Sequence, residues 1–216
     1  NAWLWEQIAP FTGQRVLEVG AGIGTMTRHF LNKEFVLSTE LEPRYLDRLR
    51  DTFAHQPNVK IQLLNLNDGI PDWLPAQRLD TVLCLNVLEH IEDDQATLEH
   101  FFAVLPSGGR VVLIIPALKP LYGTIDEAIG HYRRYEQAEI EEKLRTAGFQ
   151  IEKTQFFNTL GILGWYVNSC LLKRQSVPRF QARINDVLVP LLRLEKYLHI
   201  PWGMSLLVVA TKARWC

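Results

Sequence analysis

The apolar run Val16-Leu17-Glu18-Val19 breaks into three glycines at alternate positions, Gly20, Gly22 and Gly24. A second apolar run follows and ends on an acidic residue, Glu40, 20 residues past Gly20. Short apolar runs bounded by turn signals read as buried strands, so the order is strand, tight turn, helix, strand, carboxylate. That order fits an open α/β sheet whose turn cradles an adenosine-bearing ligand and whose carboxylate accepts from ribose hydroxyls. Gly20 permits the sharp exit from the strand, and Gly22 and Gly24 let backbone approach the ligand closely. A plain tight turn followed by a solvated Glu40 is the competing reading.

The same alternation continues along the chain. A short amphipathic helix is expected at residues 3–11, strands at 15–20, 34–39, 59–64, 80–85 and 110–115, and helices at about 24–31, 43–55, 93–105 and 137–147. The strands are continuous Val, Ile and Leu runs, which argues for a mostly parallel sheet covered on both faces. Two final strands, 149–157 and 205–212, are separated by residues 158–203, in which 160–172 is almost wholly apolar and Ile184 to Tyr197 has helical periodicity broken at Pro190. This stretch reads as a helical cap within a single domain spanning 1–216. Its apolar face is left to bury an apolar acceptor, to pack on the domain, to form a homodimer or to touch a membrane surface, the last helped by Lys173, Arg174, Arg179 and Arg183.

Net charge is -1, so no general attraction to nucleic acid is expected. The three cysteines, Cys84, Cys170 and Cys216, have no metal spacing and fit a reducing compartment. No signal peptide and no 18-residue apolar run is visible, so a cytoplasmic location is expected, with membrane association as an addition through the cap. The chain starts on Asn1 rather than methionine, and a preceding piece is expected.

Two features separate candidate cofactors. The glycines follow Gly-x-Gly-x-Gly, and Thr25 stands where a dinucleotide site would place its third glycine. Glu18, two residues before the loop, is a carboxylate inside a strand that must pair or hydrogen-bond. There it can steady the loop amides or face a cationic ligand, and it would repel a pyrophosphate.

With Glu18-Val19-Gly20-Ala21-Gly22-Ile23-Gly24, Glu40, the segment Asp80 to His90 and the turn Pro106-Ser107-Gly108-Gly109, the sequence resembles the class I S-adenosylmethionine-dependent methyltransferases. The resemblance covers about residues 15–157 and the final strand. It implies a Rossmann-like sheet of about seven strands, mostly parallel with an antiparallel last strand, and helices on both faces. It also implies S-adenosyl-L-methionine as cofactor and S-adenosyl-L-homocysteine as product. Cofactor contacts are then expected at Glu18, Gly20, Gly22, Gly24, Glu40 and Asn86, with Asn65 or nearby Asp68 at the adenine edge, where many relatives carry an aspartate. The stretch Gly130-His131-Tyr132-Arg133-Arg134-Tyr135 resembles a bacterial subgroup of that family, as do Phe157-Asn158, Gly164-Trp165, Leu194-Glu195 and Gly203-x-Ser205-Leu206.

Ligands bind outside the carboxyl ends of parallel strands, which places Asn86, Glu89, His90 and the loop 116–135 near the transfer point. His131 is the best general-base candidate, with Asp126 to orient it, and His90 and Tyr135 are further catalytic candidates. Each also has a structural reading, His90 as a packed residue bonded to a carbonyl and Asp126 as an ion-pair partner within its loop. Tyr122, Tyr132, Asn158 and Trp165 are expected to line the acceptor site. Arg133 and Arg134 can hold a carboxylate or phosphate, or pair with Glu136 or Glu139. Glu92, Asp93 and Asp94 read as a helix-start cluster.

The expected activity is methyl transfer to an oxygen or nitrogen of a small or lipid-like acceptor. No metal is called for. The alternatives are an NAD-dependent oxidoreductase, which Thr25 argues against, and a noncatalytic binding module of the same fold. Methylation of nucleic acid is disfavoured because Asn86-Val87-Leu88-Glu89 replaces the aromatic-plus-proline tetrad of base-amine enzymes.

Overall fold

The computed structural model describes residues 2–176 and 200–213. Among them run strands β1 (Arg15–Val19), β2 (Phe35–Glu40), β3 (Val59–Leu63), β4 (Thr81–Leu85), β5 (Arg110–Pro116), β6 (Phe149–Phe157) and β7 (Ser205–Lys212). They form one seven-stranded sheet in the order β3-β2-β1-β4-β5-β7-β6. The first five strands are parallel, and β7 is antiparallel to both β5 and β6. The expected sheet is therefore found, with the chain reversal at β1 to β4 that opens a crevice at the strand ends.

Both faces of the central strands are buried, which explains why they read as largely apolar runs. Leu17, Leu37, Val82, Cys84, Val111 and Leu113 point to one face, packed with Leu98 and Phe101 of helix α3 (Asp94–Val104) and Ile140 and Leu144 of α5 (Gln137–Thr146). Val16, Val36, Leu83, Val112 and Ile114 point to the other, with Phe30 and with Ile8 from α1 (Ala2–Ile8). Each fully buried Leu or Val contributes about 1.5–3 kcal/mol relative to exposure. Helix α2 (Pro43–Phe53) lies against the glycine loop: a Cβ on Gly24 would stand 2.5 Å from the Phe53 ring and 2.9 Å from Leu49.

Two expectations change. Residues 24–31 do not form an α-helix; Thr27–Phe30 make a single 3-10 turn. Gly24 has φ +78, a left-handed conformation that interrupts helical hydrogen bonding where the first turn would begin. The loop 116–135 is not irregular throughout, since it holds a 3-10 turn at Lys119–Leu121 and the short helix α4 (Thr124–Ala128). Of the cap, α6 (Gly161–Trp165) and a π-helical turn (Tyr166–Leu171) are described. The periodic segment 184–197 with Pro190, the basic pair Arg179 and Arg183, Leu194-Glu195 and Cys216 lie outside the described residues. Among the described residues no helix is long and apolar enough to cross a membrane.

Candidate active site

At the carboxyl ends of β1, β2 and β4 lies a cavity of about 650 Å³. Gly20, Glu40, Tyr45, Asn65, Asn86 and His90 line it, with Leu66, Ile91 and Ile129 as apolar wall. All three loop glycines have positive φ, at +69, +57 and +78. A Cβ on Gly20 would meet Val87 at 2.5 Å, whereas at Gly22 it would meet nothing within 4 Å. The bare backbone at Gly22 thus leaves an approach for a ligand. Glu40 Oε2 accepts from Gly22 N at 2.7 Å, and its Oε1 accepts from the amides of Leu41 and Glu42 at 2.7 and 3.1 Å. These donors fix the carboxylate at the cavity wall, and a carboxylate has about four acceptor positions, so capacity remains for a ribose hydroxyl. Asn65 caps a 3-10 turn by accepting from Asn67 N at 3.1 Å, which holds its amide at the same cavity. Asn86 ends β4 at φ +54, a conformation that asparagine tolerates better than most residues.

Glu18 is placed differently from expectation. It points to the face beneath the loop, where its Oε2 accepts from Thr27 Oγ1 at 2.6 Å and Ser38 Oγ at 2.8 Å. Ser38 is its register partner on β2. Burial pushes its carboxyl up to about 7. It steadies the strand and turn under the loop, and neither direct contact with a cofactor nor repulsion of a pyrophosphate follows from it.

A second cavity, of about 280 Å³, adjoins the first: Asn86, His90 and Ile129 line both. Its other walls include Glu89, His131, Arg134, Trp165 and Met204. His131 Nδ1 is 2.8 Å from Asp126 Oδ1. Asp126 is fully buried, and its carboxyl is held below its usual range by hydrogen bonds from His131 and Arg134 that outweigh desolvation. An ionised carboxylate only accepts, so His131 Nδ1 carries the proton and Nε2 presents its lone pair. That Nε2 stands 3.7 Å from Glu89 Oε1. His90 Nδ1 contacts the Gly130 carbonyl at 3.2 Å and its ring packs edge-on against His131, centroids 4.7 Å apart. Burial and then the His131 neighbour hold His90 below its ordinary value, which favours a neutral ring. Glu89 is 1% exposed, and neither carboxylate oxygen has a hydrogen-bond partner. Burial pushes it up to about 8.

Arg134 is a wall, not an anion clamp. Its Nε donates to Asp126 Oδ1 at 2.9 Å, another nitrogen donates to the Ala117 carbonyl at 3.1 Å, and its guanidinium lies 4.6 Å from the Trp165 ring centroid. Trp165 Nε1 in turn faces Leu121 O at 3.2 Å and Asp126 Oδ2 at 3.3 Å. The cap is thereby tied to the loop after β5.

Several expected site residues lie elsewhere. Tyr135 is fully buried, its hydroxyl donates to Asp94 Oδ2 at 2.9 Å, and burial with the Asp94 charge raises its pKa, so it is a core strut and not a catalytic group. Arg133 pairs with Asp94 at 2.9 Å and donates to Glu92 O at 2.7 Å. The arginine partners are Asp94 and Asp126, not Glu136 or Glu139. Of the helix-start cluster, Asp93 caps α3 by accepting from Ala96 N, while Asp94 is buried as the hub for Tyr135, Arg133 and Lys143. Tyr122 and Tyr132 line a shallow pocket with Lys119, Arg133 and Arg134, and Tyr122 Oη donates to His131 O at 2.8 Å. Asn158 (φ +62) stands at the exit of β6, where its carbonyl accepts from Gly161 N, and it lines neither of the two adjoining cavities.

Tyr45, Ile129 and Met204 escaped the sequence reading, because residues of a helix, a loop and the approach to β7 that converge only in three dimensions carry no local pattern. Glu89 did carry one, a charge inside the apolar run Val87-Leu88-Glu89-His90-Ile91.

A model of a methyltransferase domain matches residues 17–111. The chain is 30% identical over 148 residues to a protein of Mycolicibacterium smegmatis named a probable S-adenosylmethionine-dependent methyltransferase, covering 66% of this chain and 54% of that protein. It is 26% identical over 108 residues to a ubiquinone biosynthesis O-methyltransferase of Coxiella burnetii, covering 49% of this chain and 45% of that one. The chain spans about half or less of the length of the curated relatives it matches. Its fold is similar to the crystal structure of an S-adenosylmethionine-dependent methyltransferase from Mesorhizobium loti, with TM-score 0.65, 17% identity and 98% of both chains covered. The glycine loop, Glu40 and the cavity beside them fit the cofactor of that fold, and the chain carries a class I S-adenosylmethionine-dependent methyltransferase-like domain.

Proposed function

We propose that the protein is an enzyme that methylates an oxygen or nitrogen of a small or lipid-like acceptor, with S-adenosylmethionine as donor. One observation carries this reading: the cofactor-sized cavity and the smaller cavity with titratable walls share Asn86, His90 and Ile129. Two ligands held there meet at the end of β4. When bound, the cofactor supplies a methyl carbon made electrophilic by its sulfonium sulfur.

The chain's own part is to hold the partners in contact, exclude water and accept a proton. Glu40 and the loop amides grip the ribose end, and Asn65 and Leu66 stand at the far wall. Trp165 and Met204 close the acceptor cavity from the cap and from the approach to β7. His131 Nε2, oriented by Asp126, takes the proton of an acceptor O–H or N–H. Positioning of this kind supplies up to about 7–11 kcal/mol in well-oriented intramolecular reactions.

The relative from Coxiella burnetii, by its name an O-methyltransferase, supports an oxygen acceptor. The outer cap supports a lipid-like one or a peripheral membrane contact. There Pro120, Leu121, Ile162, Leu163, Tyr166 and Trp202 line an apolar groove of about 480 Å³. A cytoplasmic setting remains part of this proposal.

The test is calorimetric titration with S-adenosylhomocysteine and with NADH, followed by mass spectrometry of small molecules retained on the purified protein. Binding of the first and not the second is expected. Stabilisation by NADH alone would sink the proposal. His131→Ala is expected to keep cofactor affinity and lose turnover; undiminished turnover removes it as the base.

A further inference from the structure

We propose that Glu89, His90 and His131 form a binding site for one divalent transition-metal ion of the zinc type, at the wall of the acceptor cavity. One ligand atom from each residue lies within 4.8 Å of the others. The carboxylate and two imidazoles come from the turn after β4 and from the loop after β5, 41 residues apart along the chain for His90 and His131. Their meeting is a product of the fold.

The hydrogen-bond inventory asks for a cation. Asp126 accepts from His131 Nδ1 at 2.8 Å and the Gly130 carbonyl contacts His90 Nδ1 at 3.2 Å. Both partners are acceptors only, so each Nδ1 bears the hydrogen and each Nε2 offers a lone pair. Glu89, 1% exposed, adds two oxygens with no donor. A buried carboxyl group whose oxygens have no hydrogen-bond partner, a costly arrangement, therefore stands beside the half-buried His131 and the exposed His90, each with its Nδ1 engaged elsewhere. A divalent ion satisfies all three at once. Ligand atoms about 2.0–2.2 Å from a tetrahedral zinc stand ~3.4 Å apart. The 3.7 Å between His131 Nε2 and Glu89 Oε1 is close to that.

The surroundings are those of a metal centre. A ligating histidine ordinarily donates its second N–H to a carboxylate or carbonyl, and Asp126 and the Gly130 carbonyl stand as those acceptors. Asp126 is itself fixed by Arg134 at 2.9 Å. Two imidazoles and one carboxylate suit zinc, cobalt or manganese better than magnesium, which prefers oxygen ligands and water. With three protein ligands, a further coordination position faces the cavity lined by Asn86, Ile129, Trp165 and Met204.

The use of the ion rests on the methyl-transfer reading. It selects acceptors whose reacting oxygen is itself a metal ligand, a hydroxyl or phenol. The ion lowers the pKa of that group, its proton passes to water, the oxygen's electron pair forms the new O–CH3 bond, and the pair of the broken S–CH3 bond stays on sulfur. With the ion bound, His131 serves as ligand and the ion replaces it in activating the acceptor.

Binding is measured on the full chain, stripped with chelator, by titration with Zn²⁺ alone and with Co²⁺ as a visible-absorption probe. One equivalent per chain and cobalt d–d bands are expected. Loss even of an outer partner of a ligand costs about 10–100-fold in affinity, so Glu89→Gln and His90→Ala should each weaken Zn²⁺ by more than ~100-fold. His55→Ala, an exposed histidine remote from the cluster, should leave the affinity unchanged. The proposal falls if the parent binds no ion, or if the two cluster variants, shown folded by circular dichroism and thermal melting, bind as the parent does. S-adenosylhomocysteine titration on the same samples reads the cofactor separately. Cofactor binding without Zn²⁺ binding overturns the metal site and leaves methyl transfer standing, and the reverse result overturns methyl transfer.

Discussion

Asp126 carries more of the site than any other residue, and Asp126→Asn isolates what its charge does. The carboxylate is fully buried and accepts from His131, Arg134 and the Gly123 amide at 2.8, 2.9 and 3.1 Å. Arg134 is 2% exposed, and Asp126 is its carboxylate partner within salt-bridge distance. Breaking a buried pair by removing one charge costs about 3–5 kcal/mol, because the other charge stays desolvated. Asparagine keeps the shape and one acceptor, so the lower end, about 3 kcal/mol, is expected. For a chain of this size that lowers Tm by about 6–12 °C. The pair is buried and screened little, so the loss should persist at high salt. The double variant with Arg134→Met should recover ~2 kcal/mol or more of the summed single losses. The amide oxygen takes the place of Oδ1, which His131 Nδ1 and Arg134 Nε share, so the NH2 falls at Oδ2, a donor facing the Gly123 amide and Trp165 Nε1. Nitrogen-15 NMR of the imidazole should show Nδ1 still protonated. A stability loss under ~1 kcal/mol would refute the buried pairing.

Three further outcomes follow from the same geometry. Glu40→Ala removes an acceptor for ribose and the anchor of three loop amides; a hydrogen bond to a charged group is worth about 1.5–3 kcal/mol, so S-adenosylhomocysteine should bind ~10- to 150-fold more weakly by calorimetry, and an unchanged Kd would remove Glu40 from the site. Glu18 has a folded pKa raised from 4.5 to about 7, so its contribution to stability is fully present below 4.5 and is lost as pH rises through 7. The loss amounts to about 3 kcal/mol. Glu18→Gln should flatten that part of the stability profile in urea titrations from pH 4.5 to 8, and parallel profiles for the two proteins would contradict the burial argument. Tyr135→Phe deletes the bond to Asp94 and should cost about 1 kcal/mol in stability while sparing S-adenosylhomocysteine affinity and turnover; a large loss of turnover at full stability would return Tyr135 to the catalytic groups.

Much of this architecture is legible in the order of residues. Buried parallel strands are mostly apolar on both faces, so Val82 to Leu85 and Val111 to Ile115 announce themselves as continuous runs, and Val16 to Val19 and Val36 to Thr39 do so apart from Glu18, Ser38 and Thr39. A turn that requires positive φ three times in five residues requires glycine, so Gly20, Gly22 and Gly24 fix the place of the cofactor loop. Glu40 at the end of the next strand completes it. The family resemblance rests on these local, backbone-driven signals.

The direction of a side chain is not local, and there the tertiary structure decides. Glu18 and Glu40 are both carboxylates near the loop, yet alternation along β1 turns the first beneath the sheet and the end of β2 turns the second into the cavity. The run His131 to Tyr135 looks like one functional block. Packing divides it: His131 faces the acceptor cavity, Tyr132 and Arg133 face a shallow pocket on the surface, Arg134 locks Asp126 and Trp165, and Tyr135 enters the core. Composition and spacing determined that this chain builds an open α/β sheet with a glycine loop for an adenosyl cofactor, because those demands act on the backbone one element at a time. Which carboxylate meets which histidine at the acceptor wall was decided only when β4 and β5 came side by side, because that contact depends on distances between segments far apart in the chain.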